Sequence, residues 1–176
     1  YKLFIRNFKL NIRRNFFEEY WEIVFKIKNK KFKIKPEKGH WYADPFPIKY
    51  NDKIYLFFED FNKKEGIGCI SFVELDRNNK VSKPKIALKE NFHLSYPHIF
   101  EYEGSHYMIP ESKENNSIRL YKSKEFPNKW YYVKTLMSDI KAVDSTILFH
   151  KNKVWLFTNI ENNGASTWEE LHVFFS

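Results

Sequence analysis

Two sets of side chains recur at matching places in this chain, and their types suit acid–base and hydroxyl-binding chemistry. Three segments align without a gap: ADPFPIKYNDKIYLFFED at residues 43–60, SYPHIFEYEGSHYMIPES at 95–112 and VDSTILFHKNKVWLFTNI at 143–160. Asp44, Tyr96 and Asp144 then share one position, and Glu59, Glu111 and Asn159 share another. Carboxyl groups crowded together cannot all ionise cheaply. Two opposed carboxylates are costly unless one is protonated or a cation or a donor sits between them. That chemistry requires the two positions to meet in space.

The elements needed to bring them together are legible. Each segment reads as a strand, a two-residue turn and a second strand, the turns being Asn51-Asp52, Glu103-Gly104 and Lys151-Asn152. Asn, Asp and Gly tolerate the positive φ of tight hairpins. A two-residue turn fixes the register, which predicts Asp44 opposite Glu59, Tyr96 opposite Glu111 and Asp144 opposite Asn159. Residues so opposed have Cβ atoms ~4.5–5.5 Å apart. All six would converge on one rim, and a β-bulge would shift each pairing by one residue. Asp44 with Glu59 is a candidate perturbed pair. The alternative is that Asp44-Pro45 opens a strand through an Asx turn and Glu59 ends one in solvent.

After each hairpin comes a third run of β-formers, at 67–75, 117–122 and 170–175, and in the first two units a fourth, at 85–88 and 130–136. Four antiparallel strands in a period of about 50 residues describe a propeller blade. Pro47 inside the first strand removes a ladder donor and so asks for an open edge, as the innermost strand of a blade has. The expected class is all-β, with blades at about 40–90, 91–138 and 139–176, after a linker at 1–20. A short helix is expected only around 15–20.

Composition removes other classes. The 176 residues carry a net charge of +8, are 43% hydrophobic and 19% aromatic, and include a single cysteine. Such aromatic content excludes a disordered chain, and one cysteine excludes an internal disulfide or a cysteine-based zinc site. No apolar run reaches the ~18 residues of a membrane span. The stretch KIKNKKFKIKPEK at 26–38 reads either as a phosphate-binding patch or as a strand pair with a solvated lysine face; the second reading is adopted, with no nucleic-acid partner. The excess positive charge would still attract an anionic substrate. No HExxH-type spacing, P-loop, GxGxxG or GxSxG occurs. His40 and His93 precede rim motifs and are candidates to bond substrate hydroxyls, and His98 lies within the second inner strand. Trp41, Tyr42 and Tyr96 flank the rim and are candidates to stack on the flat face of a ligand, with packing between blades as the alternative.

The motifs HWYADPF (His40 to Phe46), HLSYPHIFE (His93 to Glu101), MIPES (Met108 to Ser112) and AVDSTILF (Ala142 to Phe149) resemble those of one family. It is the N-terminal domain of glucosamine inositolphosphorylceramide transferases and its bacterial relatives, itself similar to the five-bladed propellers of family 43 glycoside hydrolases. The resemblance runs from about residue 21 to the end. It implies that Asp44 matches the hydrolases' general base and Asp144 the aspartate that tunes pKa and orients. The general acid would then lie beyond Ser176, with Glu111 as an internal alternative that the hydrolase pattern does not support. In an inverting enzyme, base and acid would stand ~6.5–9.5 Å apart.

Five blades need about 250 residues, so the chain is expected to be part of a propeller, with 21–35 as the outer strand that closes its last blade. Alone it is expected to associate rather than persist as a monomer. The expected function is glycosyl transfer or glycoside hydrolysis on a surface glycan or glycolipid. The rivals are a non-catalytic glycan-binding module serving a separate transferase domain and a protein-binding scaffold. The expected substrate-binding set is His40, Trp41, Tyr42, Glu59, His93, Tyr96, His98 and Asn159, with Asp44, Asp144 and Glu111 catalytic. No cofactor is expected, a channel calcium being the one exception that the hydrolase resemblance raises. The expected location is cytoplasmic, with a membrane-peripheral one as the alternative.

Overall fold

Paired residues of left-handed backbone close all three expected hairpins. Asn51 and Asp52 have φ of 46° and 58°, Glu103 and Gly104 48° and 68°, and Lys151 and Asn152 49° and 57°. Two successive positive φ values match the twist of the flanking strands, so each turn continues its sheet without splaying it. The structure is a computed structural model; it describes residues 21–176 except 28, 77, 79, 163 and 165. The linker at 1–20 and the helix expected at 15–20 lie outside the described residues.

Three antiparallel sheets follow one another along the chain. The first is β3 (His40–Tyr50), β4 (Lys53–Asn62), β5 (Ile67–Leu75) and β6 (Lys85–Leu88). The second is β7 (Ser95–Tyr102), β8 (Ser105–Glu111), β9 (Ser117–Glu125) and β10 (Asn128–Ser138). The third is β11 (Ala142–His150), β12 (Lys153–Ile160) and β13 (Leu171–Phe175). Strand order within each sheet is chain order, so β3, β7 and β11 are edge strands. That edge is what Pro47 requires. β7 packs against β3 on one side and β11 on the other, which brings the inner strands together as in a propeller.

Each inner strand carries the same irregularity, and it corrects the expected pairings. Glu59 pairs with Ala43, Glu111 with Ser95 and Asn159 with Val143, one residue short of Asp44, Tyr96 and Asp144. The regular register resumes at Phe46, His98 and Thr146. The extra residue in each bulge includes a left-handed position: φ is 50° at Asp44, 41° at Tyr96 and 54° at Asp144. A left-handed bulge bends the strand and re-aims its side chain.

The segment at 21–35 also differs from expectation. It forms a hairpin of its own, β1 (Ile23–Ile27) and β2 (Lys30–Ile34), rather than a single outer strand. Its alternation buries Ile23 and Ile34 while exposing Lys26, Lys30, Lys31 and Lys33 to solvent. The hairpin lies across one face of the first sheet, against Tyr42, Leu56, Phe58, Val73 and Leu75. The other face of that sheet packs Tyr55, Phe57, Ile70 and Phe72 against Ile99, Met108, Tyr121 and Trp130 of the second and against Leu94 just before it. Ile109 and Ile118 meet Ala142 and Ile160 of the third. Strand alternation therefore assigns each terminal side chain to a particular gap between sheets.

Candidate functional site

Glu59 lies two residues beyond Phe57 on β4 and shares its face, toward the second sheet. Glu111 lies two beyond Ile109 on β8 and faces the third. The bulges turn Asp44 and Asp144 to the same end. The Tyr96 amide donates to Asp44 Oδ2 at 3.2 Å, and the Asp144 amide lies close enough to Glu111 to favour its ionised carboxylate. An acid of the first sheet thus holds the left-handed residue of the second.

These groups sense one another. Burial, then the charge of Asp44, then that of Glu111, push Glu59 up to about 8. Burial, then Asp144 and Asp44, push Glu111 up to about 7. Asp144 is raised by burial and then by Asp44. The predicted convergence of acids is therefore present, although the direct pairings are not. At neutral pH Glu59 holds its proton most of the time.

A wall of rings borders the acids. Trp41 and Phe61 lie with centroids 4.6 Å apart, and Phe61 and His93 5.8 Å apart. The Trp41 indole N–H is buried without a partner of hydrogen-bond geometry, yet it lies close enough to Glu59 to favour the ionised carboxylate. His93 Nδ1 accepts the Gly68 amide at 3.0 Å, which leaves the proton on Nε2, 3.4 Å from Glu59 Oε1. Burial holds His93 below the usual histidine range, against the pull of Glu114 and Asp44.

Other expected contacts are spent within the protein. His40 Nδ1 lies 2.6 Å from Asp60 Oδ1, and Ser71 donates to Asp60 Oδ2 at 2.9 Å. Alternation carries Asp60 to the face opposite Glu59, so His40 serves that buried carboxylate. Tyr42 is a correction: at 1% exposure, packed 4.6 Å from Phe58, its ring has no surface to offer a sugar. Tyr96 lies between, half-buried, with its hydroxyl 3.1 Å from Thr146 Oγ1. His98 Nε2 accepts the Ile147 amide at 3.0 Å, and its Nδ1 is buried without a partner. Asn159 sits half-buried opposite Val143, while adjacent Thr158 bonds the Val143 carbonyl. Among the described residues, no three His, Cys, Asp or Glu side chains converge as a metal-holding group.

Sequence reasoning did not single out Gly68, Phe61 or Asp60. Asp60 ends the first repeat segment, and strand alternation alone separates it from Glu59. Nothing local marks Gly68, whose importance comes from what the second sheet lays against it.

The fold defines the class first. Similar solved structures include a family 117 glycoside hydrolase from Zobellia galactanivorans, with TM-score 0.63 and 12% identity, covering 88% of this chain and 57% of that one. The catalytic domain of the Coprinopsis cinerea GH62 alpha-L-arabinofuranosidase gives 0.59 at 10% identity, covering 77% and 45%. A thermostable family-43 glycoside hydrolase gives 0.52 at 12%, covering 76% and 49%. The chain is thus part of a propeller of the kind these enzymes share.

Residues 28–176 match the model of the glucosamine inositolphosphorylceramide transferase 1 N-terminal domain, and the chain belongs to that family. Glucosamine inositolphosphorylceramide transferase 1 of Oryza sativa subsp. japonica is 34% identical over 140 residues, covering 78% of this chain and 19% of the relative. The Arabidopsis thaliana protein of that name is also 34% identical over 140 residues, covering 78% and 18%. The chain therefore spans about a fifth of the length of these curated relatives.

Proposed function

We propose that this is a carbohydrate-active domain whose acidic rim binds a glycan or glycolipid and serves glycosyl transfer or glycoside hydrolysis. The observation that carries the reading is the coupling of Asp44, Glu59, Glu111 and Asp144 beside the Trp41–Phe61–His93 wall. Sugars present hydroxyls to carboxyl groups and C–H faces to rings, and this rim offers both. Asp44 is the base in this reading. It is exposed, so an incoming water or acceptor hydroxyl reaches it. Asp144 and Glu111 hold the sugar and tune its proton balance. Family membership supports a glycolipid or nucleotide sugar among the ligands.

The test is Asp44→Asn in the full-length protein. Activity should fall by at least ~10²-fold, with the circular dichroism spectrum unchanged. Normal turnover by this variant would remove Asp44 from the chemistry.

The second reading is a glycan-binding module that positions substrate for a transferase domain elsewhere in the protein. It is supported by the small share of the relatives that this chain covers. Titration calorimetry separates the two. Trp41→Ala and Asp144→Ala should each weaken glycan binding in either reading, whereas Asp44→Asn should abolish turnover only in the first.

A further inference from the structure

We propose that the two joints between the sheets are acid-operated latches: His93 and His98 each close one by accepting a backbone amide of the neighbouring sheet on a neutral ring nitrogen, and protonation of His98 releases the third sheet from the second. The inference concerns the joints and holds whether or not the rim is catalytic.

The backbone creates the need. β11 is an edge strand, so the amides on its outer side have no strand to pair with. The Ile147 amide donates to His98 Nε2 instead, at 3.0 Å. β6 pairs with β5 at Ile70, Ser71 and Phe72 but not at Gly68. The Gly68 amide donates to His93 Nδ1 at 3.0 Å, and the Leu94 amide donates back to the Gly68 carbonyl at 3.0 Å. That joint is tight, since a Cβ on Gly68 would lie 2.8 Å from His93 Cε1. An amide left unpaired inside a protein is costly, so each histidine supplies what a neighbouring strand would. Both bonds cross between sheets, and both use a ring lone pair that only the neutral imidazole has.

The two rings stand in different surroundings. His98 is 8% exposed. Phe46 of β3 meets it in a T-shape with centroids 5.4 Å apart, Phe100 of its own strand stacks at 5.9 Å, and Ile109 of β8 is paired opposite. With Nε2 accepting, the proton sits on Nδ1, which is buried without a partner. A second proton would aim an N–H at the Ile147 N–H and put a charge among rings, with no acceptor for either. The rim carboxyl groups Asp44 of β3, Glu111 of β8 and Asp144 of β11 stand toward its end of those strands, and none of them shifts its titration. Burial holds it below the ordinary histidine value of 6.5. His93 has acids at hand: Nε2 lies 3.4 Å from Glu59 Oε1, and its amide donates to Glu114 Oε2 at 3.0 Å. Burial lowers it too, but Glu114 and Asp44 pull it back up. The His98 joint, which has no acid to share an added proton, therefore opens first.

The open joint binds a proton that the closed one refuses. Opening thus becomes more favourable as pH falls below 6.5 and is insensitive to His98 above it. Asp144 stands on the released sheet and Glu111 on the sheet left behind, so opening also takes the acidic rim apart. Glu59 and Glu111 respond to pH in the opposite sense, so the latch is read by comparing sheets and variants that share them.

The experiment follows hydrogen exchange of the full-length protein by mass spectrometry, from about pH 7.5 to about pH 5, corrected for the intrinsic pH dependence of amide exchange. Peptides of β11 and β12 should lose protection below pH 6.5, by up to about tenfold per pH unit, before those of β4 and β5 do. Equal losses in both sheets, or none, would overturn the latch, and this comparison needs no variant. His98→Gln places an amide oxygen near the Nε2 position and does not titrate. It should keep the Ile147 bond and abolish the acid-dependent gap between the sheets. A gap as steep as in wild type would take the latch away from His98. His93→Gln should leave the gap in place, and its disappearance there would assign the proton to His93 and overturn the order of opening.

Discussion

Glu59 couples the site to stability through its proton. An ordinary glutamate has a value of 4.5, and burial with neighbouring charge brings this one to about 8. Between those values the folded chain holds a proton that the unfolded chain has released. The unfolded state binds fewer protons there, so stability falls as pH rises through that window and is flat on either side. Each unit of difference is worth about 1.4 kcal/mol. Glu59→Gln removes the slope and should stabilise the protein near pH 8 by roughly 2–4 kcal/mol. Glu111, raised to about 7, adds a dependence of the same sign. Urea melts of both proteins across this range provide the check; parallel pH dependences would contradict the account.

At the scale of elements, the bulge is the repeated device. Asp44, Tyr96 and Asp144 hold left-handed backbone, which costs an L-residue roughly 1–2 kcal/mol. Aspartate and asparagine tolerate it better than tyrosine, and β-branched residues tolerate it worst. Tyr96→Val should therefore destabilise by roughly 1–3 kcal/mol, in part through loss of the contact with Thr146. Tyr96→Phe isolates that hydroxyl contribution, so the difference between the two variants reports the backbone together with the loss of the half-buried ring. Equal stability for both would contradict the added cost of a β-branched residue at this left-handed position. Gly68→Ala tests the junction between the first two sheets. The added methyl meets the Leu94 backbone oxygen, which cannot swing aside as a flexible side chain would. A loss of roughly 1–3 kcal/mol is expected, measured by denaturant midpoint.

Across the whole molecule, the sheets are covered unequally. The first has the hairpin β1–β2 on one face and the second sheet on the other. The third leaves Leu148, Phe149, Leu171, Val173, Phe174 and Phe175 exposed, with Trp168 nearby at 90% exposure. Patches of this kind mark an interface or a liability to aggregate. The 176-residue chain should sediment as concentration-dependent oligomers and bind a hydrophobic dye. Leu171→Lys with Val173→Lys should reduce both. A compact monomer with cooperative two-state melting would overturn this expectation.

Alternation, turn chemistry and the period of the repeats are local properties, and they carried most of the architecture. The turns at Asn51-Asp52, Glu103-Gly104 and Lys151-Asn152 needed only residues that accept positive φ. Pro47 needed only an edge. The gathering of Asp44, Glu59, Glu111 and Asp144 followed from matching positions in similar hairpins. The bulge at each inner strand was not legible, because its register depends on which side chains pack against the neighbouring sheet and not on the turn. Tyr42 and Trp41 are adjacent aromatic residues of similar appearance, yet alternation sends one to the core under the β1–β2 hairpin and the other to the rim. Gly68 is an unremarkable glycine until the segment at His93–Leu94 closes over it from the next sheet. The sequence by itself determined the strands, the turns and the acidic end of each hairpin, since backbone sterics and periodicity act over a few residues. Which acid is buried and which side chains surround it were decided only by the tertiary structure, because burial and electrostatic coupling depend on neighbours that the chain order keeps far apart.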